Sequence, residues 1–237
     1  MLKRILPLLT GLFVGITFFS CQKELSEQIG SLPGSGGNPP GGTAVACKAC
    51  SYTPWCHGSV YTYIDTMAGV GTPTTQTINI IRDTTIDGKV FQKFSNPGAD
   101  GYFNCTAGVS TLIAYSVPAT GGAIIKLEQT VLKANAPAGT TWTNSLNNGL
   151  GQNVDYNYSI AAKGLTKMVL GVNYTDVIQV HLTISVTVPV LGTVVMGESD
   201  YFYANNIGLI DNITYNANPF GPPTMALHRV LQTCHIP

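Results

Sequence analysis

Charge is scarce in this chain. Asp, Glu, Lys and Arg make up 10% of its 237 residues, and the 12 basic and 12 acidic side chains cancel. Such a balance leaves no basic surface for nucleic acid. Histidine is sparse too, at His57, His181, His228 and His235. No Gly-x-Ser-x-Gly or His-Glu-x-x-His pattern occurs, and the acids are scattered rather than paired. No catalytic residue is assigned, no cofactor is implied, and a non-enzymatic protein is expected. A helical repeat is also missing. Leu127 to Asn135 is the best helix candidate, and its β-branched pair Thr130 and Val131 argues against it.

Long apolar runs are absent after the first residues. The exception follows Lys3 and Arg4, runs from Ile5 to Phe19, and ends at Ser20 and Cys21. A charged start, an apolar stretch and a small residue form a secretory signal. A cysteine where the mature chain would begin predicts a bacterial lipoprotein, acylated at Cys21. Phe18 and Phe19 depart from the usual lipobox, which favours Leu and a small residue there. The rival is an uncleaved membrane helix. It needs ~20 apolar residues, more than this run supplies. Residues 1–20 are therefore read as the signal peptide. Its removal takes away Lys3 and Arg4 and no acid, leaving ten basic against twelve acidic residues.

Export bears on the cysteines. Beyond Cys21 there are Cys47, Cys50, Cys56, Cys105 and Cys234. An oxidising envelope makes disulfides the default. Five cysteines allow at most two bridges and leave one thiol over, expected to be buried. The pairing is open. Cys47, Cys50, Cys56 and Cys105 are the bridge candidates, and a link from the first cluster to Cys105 would staple the start of the domain to its sheet. Cys47, Cys50, Cys56 and His57 also have zinc-ligand chemistry, and Cys47-x-x-Cys50 has redox chemistry. The second half of a zinc spacing and the strand-to-helix setting of a redox pair are both missing, so no metal site is assigned.

Residues 21–46 read as the acylated cysteine and a tether. Pro33, Pro39 and Pro40 among the glycines between Ser31 and Gly42 forbid regular structure. A flexible segment of this length spans ~25–30 Å. Residues 47–237 read as one β-rich domain without repeats. Val154, Tyr156, Tyr158 and Ile160 alternate with Asp155, Asn157 and Ser159. Val180, Leu182, Ile184, Val186 and Val188 alternate with His181, Thr183, Ser185 and Thr187. Side chains two apart share a face of a strand, so each run has a dry and a wet side.

Gln76–Ile86 and Lys89–Phe94 flank Asp87 and Gly88, which suit a type I′ hairpin turn. Further strands are expected near 59–65, 102–105, 110–117, 124–132, 167–172, 193–203, 208–215 and 226–232. Ten or more antiparallel strands predict an all-β fold, a strongly curved antiparallel sheet or incomplete barrel.

Tyrosine is what this chain has in quantity, with 11 residues. Tyr61, Tyr63, Tyr102, Tyr156, Tyr158, Tyr201 and Tyr203 fall in expected strands. Tyr61, Tyr156, Tyr158, Tyr201 and Tyr203 are candidates to line a ligand cleft, presenting an aromatic body and a hydroxyl. The bland alternative is that these rings fill the core.

The segment from Tyr201 to Ile210, reading YFYANNIGLI, resembles a strand–turn–strand motif of Bacteroidota-type exported lipoproteins with an incomplete antiparallel barrel, similar to the LolA/LolB fold. Asn205 and Asn206 replace the usual Lys-Gly, and Asn tolerates left-handed φ. Thr130 to Trp142, Tyr174 to Ile178 and Cys47 to Cys56 match the same group. The resemblance implies a barrel and a place in the cell envelope, and brings no catalytic residues with it. Lys23, Glu24 and Glu27 resemble the signal for surface display of such lipoproteins. Asp65-Thr66-Met67 and Asp83-Thr84-Thr85 resemble an O-glycosylation acceptor. The expectation is a protein lipid-anchored in the outer membrane, on its periplasmic face or at the cell surface. It would act as a binding or interaction module whose partner is an apolar ligand, a glycan or an envelope protein. The alternative is a carrier of lipid or another apolar ligand in a half-barrel cleft.

Overall fold

The computed structural model of the chain describes residues 50–96, 99–116, 125–147, 153–188, 192–218 and 221–237. Cys21, Cys47, the signal segment and the tether lie outside the described residues. The strands are β1 (Val60–Met67), β2 (Thr74–Ile86), β3 (Lys89–Asn96), β4 (Ala99–Thr106), β5 (Val109–Ser116) and β6 (Ile125–Lys133). They continue as β7 (Thr141–Asn147), β8 (Asn153–Val169), β9 (Val172–Val188), β10 (Gly192–Ala204), β11 (Gly208–Asn216) and β12 (Thr224–His235). No helix occurs among the described residues, and the stretch offered as a helix candidate is β6.

All twelve strands form one antiparallel sheet in the order β6-β5-β4-β3-β2-β1-β12-β11-β10-β9-β8-β7. Chain neighbours pair by hairpins, and the first and last strands close the two meanders on each other. The sheet curls into a nearly closed barrel. Its edges, β6 and β7, approach without ladder pairing, and side chains bridge them. Trp142 Nε1 donates to Thr130 O at 2.8 Å, and the Asn144 amide bonds both Thr130 N and Thr130 O, at 3.2 and 3.1 Å.

The expected alternation is present, and the register assigns its faces. Tyr158 pairs with Leu182, Ile160 with Val180, and Tyr63 with Leu231, all on the inner face. Tyr61, Tyr63, Ile160, Ile178, Val180 and Leu132 are fully buried. Burying an Ile or Val side chain contributes roughly 1.5–3 kcal/mol. Gly101 lies opposite Phe94. The Phe94 ring occupies the space that a side chain at 101 would need, which is why glycine stands there.

The barrel has a near end, where the chain enters, and a far end. Two-residue turns close the near end at 87–88, 107–108 and 170–171, each with both φ positive: Asp87 51° and Gly88 76°, Ala107 51° and Gly108 77°, Leu170 48° and Gly171 81°. That is the type I′ signature. The first of these was expected. The strand expected near 167–172 instead contains the third turn. β7 was not anticipated, since no clean alternation announces it.

Residues 50–59 plug the near end. Gly58 N donates to Ile80 O and Ile80 N to Ser59 O, both at 2.9 Å. Thr53 Oγ1 and Ser110 Oγ are 2.8 Å apart, and the Tyr61 hydroxyl donates to Pro54 O at 2.9 Å. Trp55 packs against Phe103 and Phe94, with ring centroids 4.6 and 5.0 Å away. The Cys50–Cys105 disulfide fixes this plug to β4. Cys56 is disulfide-bonded as well. Cys234 is the free cysteine among the described residues, and it is exposed rather than buried. It lies one residue from the end of β12, where burial is incomplete. The adjacent wall still desolvates its sulfur enough to push the thiol pKa up.

Candidate functional site

Many inward side chains are more exposed toward the far end of the barrel than at the near end, although Val186 at the far end stays buried. At the near end Tyr61, Ile80, Ser110, Leu132, Ile160 and Ile178 are buried. Toward the far end, in the same inward rows, Gln76, Leu112, Gln129, Val154, Ile184 and Leu227 are only half-buried. The interior is therefore a cup, packed at its base and reached by solvent from the far end.

An ion pair lies where the packed base gives way to the cup. Arg229 and Asp65 face each other across β12 and β1. Arg229 Nε and Nη2 each donate to a different Asp65 carboxylate oxygen at 2.7 Å, a two-pronged fork. The Asp65 side chain is 2% exposed and that of Arg229 20%. Asn212 pairs with Arg229 across the strands, and Tyr201 with Asn212, so Tyr201 shares the inward face. Protein surrounds Tyr201 and Arg229, yet both keep part of their surface accessible. Both side chains sit on the inward face, so their residual exposure is turned toward the barrel interior.

The five tyrosines expected to line a ligand site converge on this region, with Tyr63 beside them. Tyr61 reaches down to the plug, and the Tyr63 hydroxyl donates to Leu209 O at 3.2 Å. The Tyr158 hydroxyl donates to Gln129 Oε1 at 3.0 Å, and its ring stacks on Trp142 at 5.4 Å. Tyr201 and Tyr203 lie parallel, 6.4 Å apart. Tyr61, Tyr63, Tyr156, Tyr158 and Tyr203 are buried and build the base, while Tyr201 is half-buried.

Burial raises the phenol pKa of Tyr63, Tyr158, Tyr201 and Tyr203, so the rings stay neutral. Burial pulls Arg229 down, but the hydrogen bonds and charge of Asp65 outweigh it and hold the guanidinium above its ordinary value. The base of the cup thus carries one fixed cation with its counter-ion, several neutral hydroxyls, and apolar walls above. Arg229 and Asp65 were not singled out from the sequence. Nothing in it links residues 164 positions apart.

A second concavity of about 310 Å³ lies at the near end, between Trp55 of the plug and Lys89, Gln92 and Phe103 of β3 and β4. None of the five candidate tyrosines lines it. Its volume is at the lower limit for ligand pockets. Its base is the Cys50–Cys105 bridge, and we regard it as a seam of the plug.

The histidines lie apart from the cup. His181 pairs with Asp200 across β9 and β10, on the outward face. Its Nδ1 is 3.1 Å from Asp200 Oδ1, and its Nε2 is 3.3 Å from Thr183 Oγ1. The order Thr–His–Asp is that of a nucleophilic relay. However, Thr183 lies mid-strand between two paired neighbours, where backbone N–H groups are engaged in ladders and leave no oxyanion hole. His228 Nε2 lies 2.9 Å from Asp211 Oδ1, and Lys167 Nζ lies 2.9 Å from the other oxygen.

Cys50 and Cys56 are oxidised, so neither offers a thiolate to a metal. Among the described residues no cluster of His, Cys, Asp and Glu could hold a metal ion. Thr66, in the first of the two O-glycosylation-like motifs, follows an aspartate whose carboxylate is already bound by Arg229.

No protein-family model matches the chain, and no curated protein matches it. Two solved structures follow a similar chain path. One is a protein of Parabacteroides distasonis described as a lipoprotein, with 12% identity and a TM-score of 0.47, covering 78% of this chain and 99% of that one. The other is a protein of Bacteroides fragilis described as exported and as having a YmcC-like fold. It has 12% identity and a TM-score of 0.44, covering 76% of this chain and 96% of that one. Neither is described as LolA- or LolB-like.

Proposed function

We propose that the chain is a lipid-anchored envelope protein and a non-enzymatic binding module, whose barrel holds a small amphipathic ligand in its cup. Cys21 supplies the anchor, residues 22–46 the tether, and the outer membrane the location. The observation that carries the binding reading is the Arg229–Asp65 pair on the inward face, next to half-open Tyr201. A buried ion pair is often no better for stability than apolar side chains of the same volume. Its retention at the base of an accessible cup favours recognition over packing. Arg229 suits a carboxylate, phosphate or sulfate on the ligand, and Tyr201 stacks on a ring or covers a chain. The half-buried walls, Val154, Ile184 and Leu227, suit an apolar body, and so the carrier reading shares the same site. The outward, ladder-bound placement of His181 and His228 supports the non-enzymatic reading.

The test is native mass spectrometry of the mature protein from its own envelope, followed by thermal-shift screening with fatty acids, lipid headgroups and anionic glycans. A bound species or stabilising ligand that is lost on Tyr201→Ala or Arg229→Gln supports the reading. Ligands that bind both variants as well as the parent place recognition elsewhere and overturn it. Absence of any bound or stabilising species also overturns it.

A further inference from the structure

Strands β8 and β9 outrun their neighbours. β10 stops at Ala204, opposite Val177, while the β8–β9 hairpin continues to its turn at Leu170 and Gly171. Three register irregularities between Ile160 and Lys167 bend this arm. One side of it is fastened. Val169 is buried, and Lys167 Nζ stands 3.6 Å from the Phe202 ring centroid and 2.9 Å from Asp211 Oδ2. The tip is left outward: Met168 is 66% exposed, Leu170 58% and Val172 51%. Met168 and Leu170 are the two most exposed large apolar residues among those described.

Leu170 is also misplaced by local rules. It holds φ at 48° in the first position of a type I′ turn. Asn, Asp and Gly favour that position, because a larger side chain crowds the backbone there. The equivalent turns on the same end use Asp87 and Ala107. An exposed leucine in a strained conformation gains nothing from the core. Strain together with exposure points to an apolar environment outside the chain. Val90 and Val109, next to the other two turns, add exposed apolar surface to the same end.

The arm and the chain entrance are adjacent. The Tyr52 hydroxyl donates to Asp176 Oδ1 at 2.7 Å at the root of the arm, and Asn206 N donates to Ser51 O. The chain leaves the described domain at Cys50, 29 positions after Cys21. A tether of that length spans ~25–30 Å. With Cys21 acylated, the bilayer lies within that reach of the near end. We propose that the tip formed by Met168, Leu170 and Val172 inserts into the interfacial layer of the anchoring bilayer, as a second and reversible membrane contact. The acyl anchor keeps the tip at high local concentration near lipid, so even weak insertion is populated. The near end then faces the membrane, and the cup opens away from it. This inference rests on the anchor reading of Cys21.

The test uses the full mature protein with Cys234→Ser and a single added thiol. The thiol is placed at Leu170→Cys, or at Met225→Cys near the far end as the control, and carries an environment-sensitive nitrobenzoxadiazole label. The protein is reconstituted into phosphatidylethanolamine–phosphatidylglycerol vesicles with brominated acyl chains. Insertion shifts the emission at 170 to the blue and quenches most of it, and leaves 225 unchanged. Equal quenching at both sites, or none at 170, overturns the proposal. A blue shift at 170 that depends on protein concentration and not on lipid also overturns it, in favour of self-association. Intact mass reports acylation independently. An unacylated chain removes the anchor reading, and the same label with added vesicles still decides whether the tip enters lipid.

Discussion

The side-chain amide of Asn144 pairs with the peptide of Thr130, accepting from its N–H and donating to its carbonyl. In effect an amide side chain stands in for a missing stretch of backbone ladder. With Trp142 Nε1 on the same carbonyl, it joins the two sheet edges at one point. Edge strands with unpaired peptide groups invite pairing with other chains, so this contact also protects the fold.

Asn144→Leu removes both bonds and leaves the Thr130 N–H without a partner, while Trp142 Nε1 still donates to the carbonyl. A loss of about 1–3 kcal/mol in unfolding free energy is expected. Urea unfolding measures the loss, and amide exchange at Thr130 should quicken more than exchange in the β8–β9 ladder. Unchanged exchange at Thr130 would show that the seam is held by packing alone.

The Cys50–Cys105 bridge closes a sequence separation of 55 residues. In the chain-entropy account, a loop of that size contributes about 4 kcal/mol. Cys50→Ser with Cys105→Ser should lower the denaturant midpoint accordingly. It should also expose residues 50–56 to proteolysis while the remaining strands stay protected. A midpoint unchanged by the double substitution would mean that the plug is held by Trp55 and its neighbours.

The inner ion pair predicts an asymmetry. Arg229→Gln leaves a buried carboxylate uncompensated and should cost roughly 3–5 kcal/mol. Arg229→Met with Asp65→Leu removes both charges and should cost much less, while abolishing any ligand that needs the guanidinium. A double variant as unstable as the single one would show that the pair stabilises the barrel rather than serving recognition.

Alkali should unfold the barrel. Tyr61, Tyr63, Tyr158 and Tyr203 have folded pKa values raised, mainly by burial, above the unfolded value. Their contribution is complete below pH ~10. Above that the unfolded chain releases protons that the folded chain keeps, so stability falls with pH by ~1.4 kcal/mol per unit for each such ring. Tyrosinate absorbance of this buried set should rise together with loss of the circular dichroism signal. Their ionisation in a still-folded barrel would contradict the packed base.

Leu170→Asn should raise stability by about 1 kcal/mol, because Asn adopts left-handed φ at lower steric cost. The same substitution should weaken vesicle contact of the tip. A neutral or destabilising result in urea would mean that Leu170 packs where it was taken to be free.

Local signals were legible where one residue type has one conformational use. Asp87-Gly88 announced its turn, and Asn206 takes the left-handed φ of 62° that its substitution for glycine required. Ala107 and Leu170 hold the same conformation with side chains that disfavour it, so the first turn was legible only as the gap between two expected strands and the second was read as strand. The tyrosines were legible as inward by their alternation with polar neighbours. Their ring partners were not, because side chains meet across strands distant in the chain.

Alternation, β-branched content and the lack of charge were enough to set an all-β chain with dry and wet strand faces, since those depend only on neighbours two residues apart. Closure of the barrel was decided by the tertiary structure, through Thr130 meeting Asn144. So were the choice of Cys50 and Cys105 as partners and the meeting of Asp65 with Arg229. The last two join groups 55 and 164 positions apart, the first joins edge strands that share no ladder, and only the curvature of the assembled sheet and the register of its twelve strands bring all three within bonding distance.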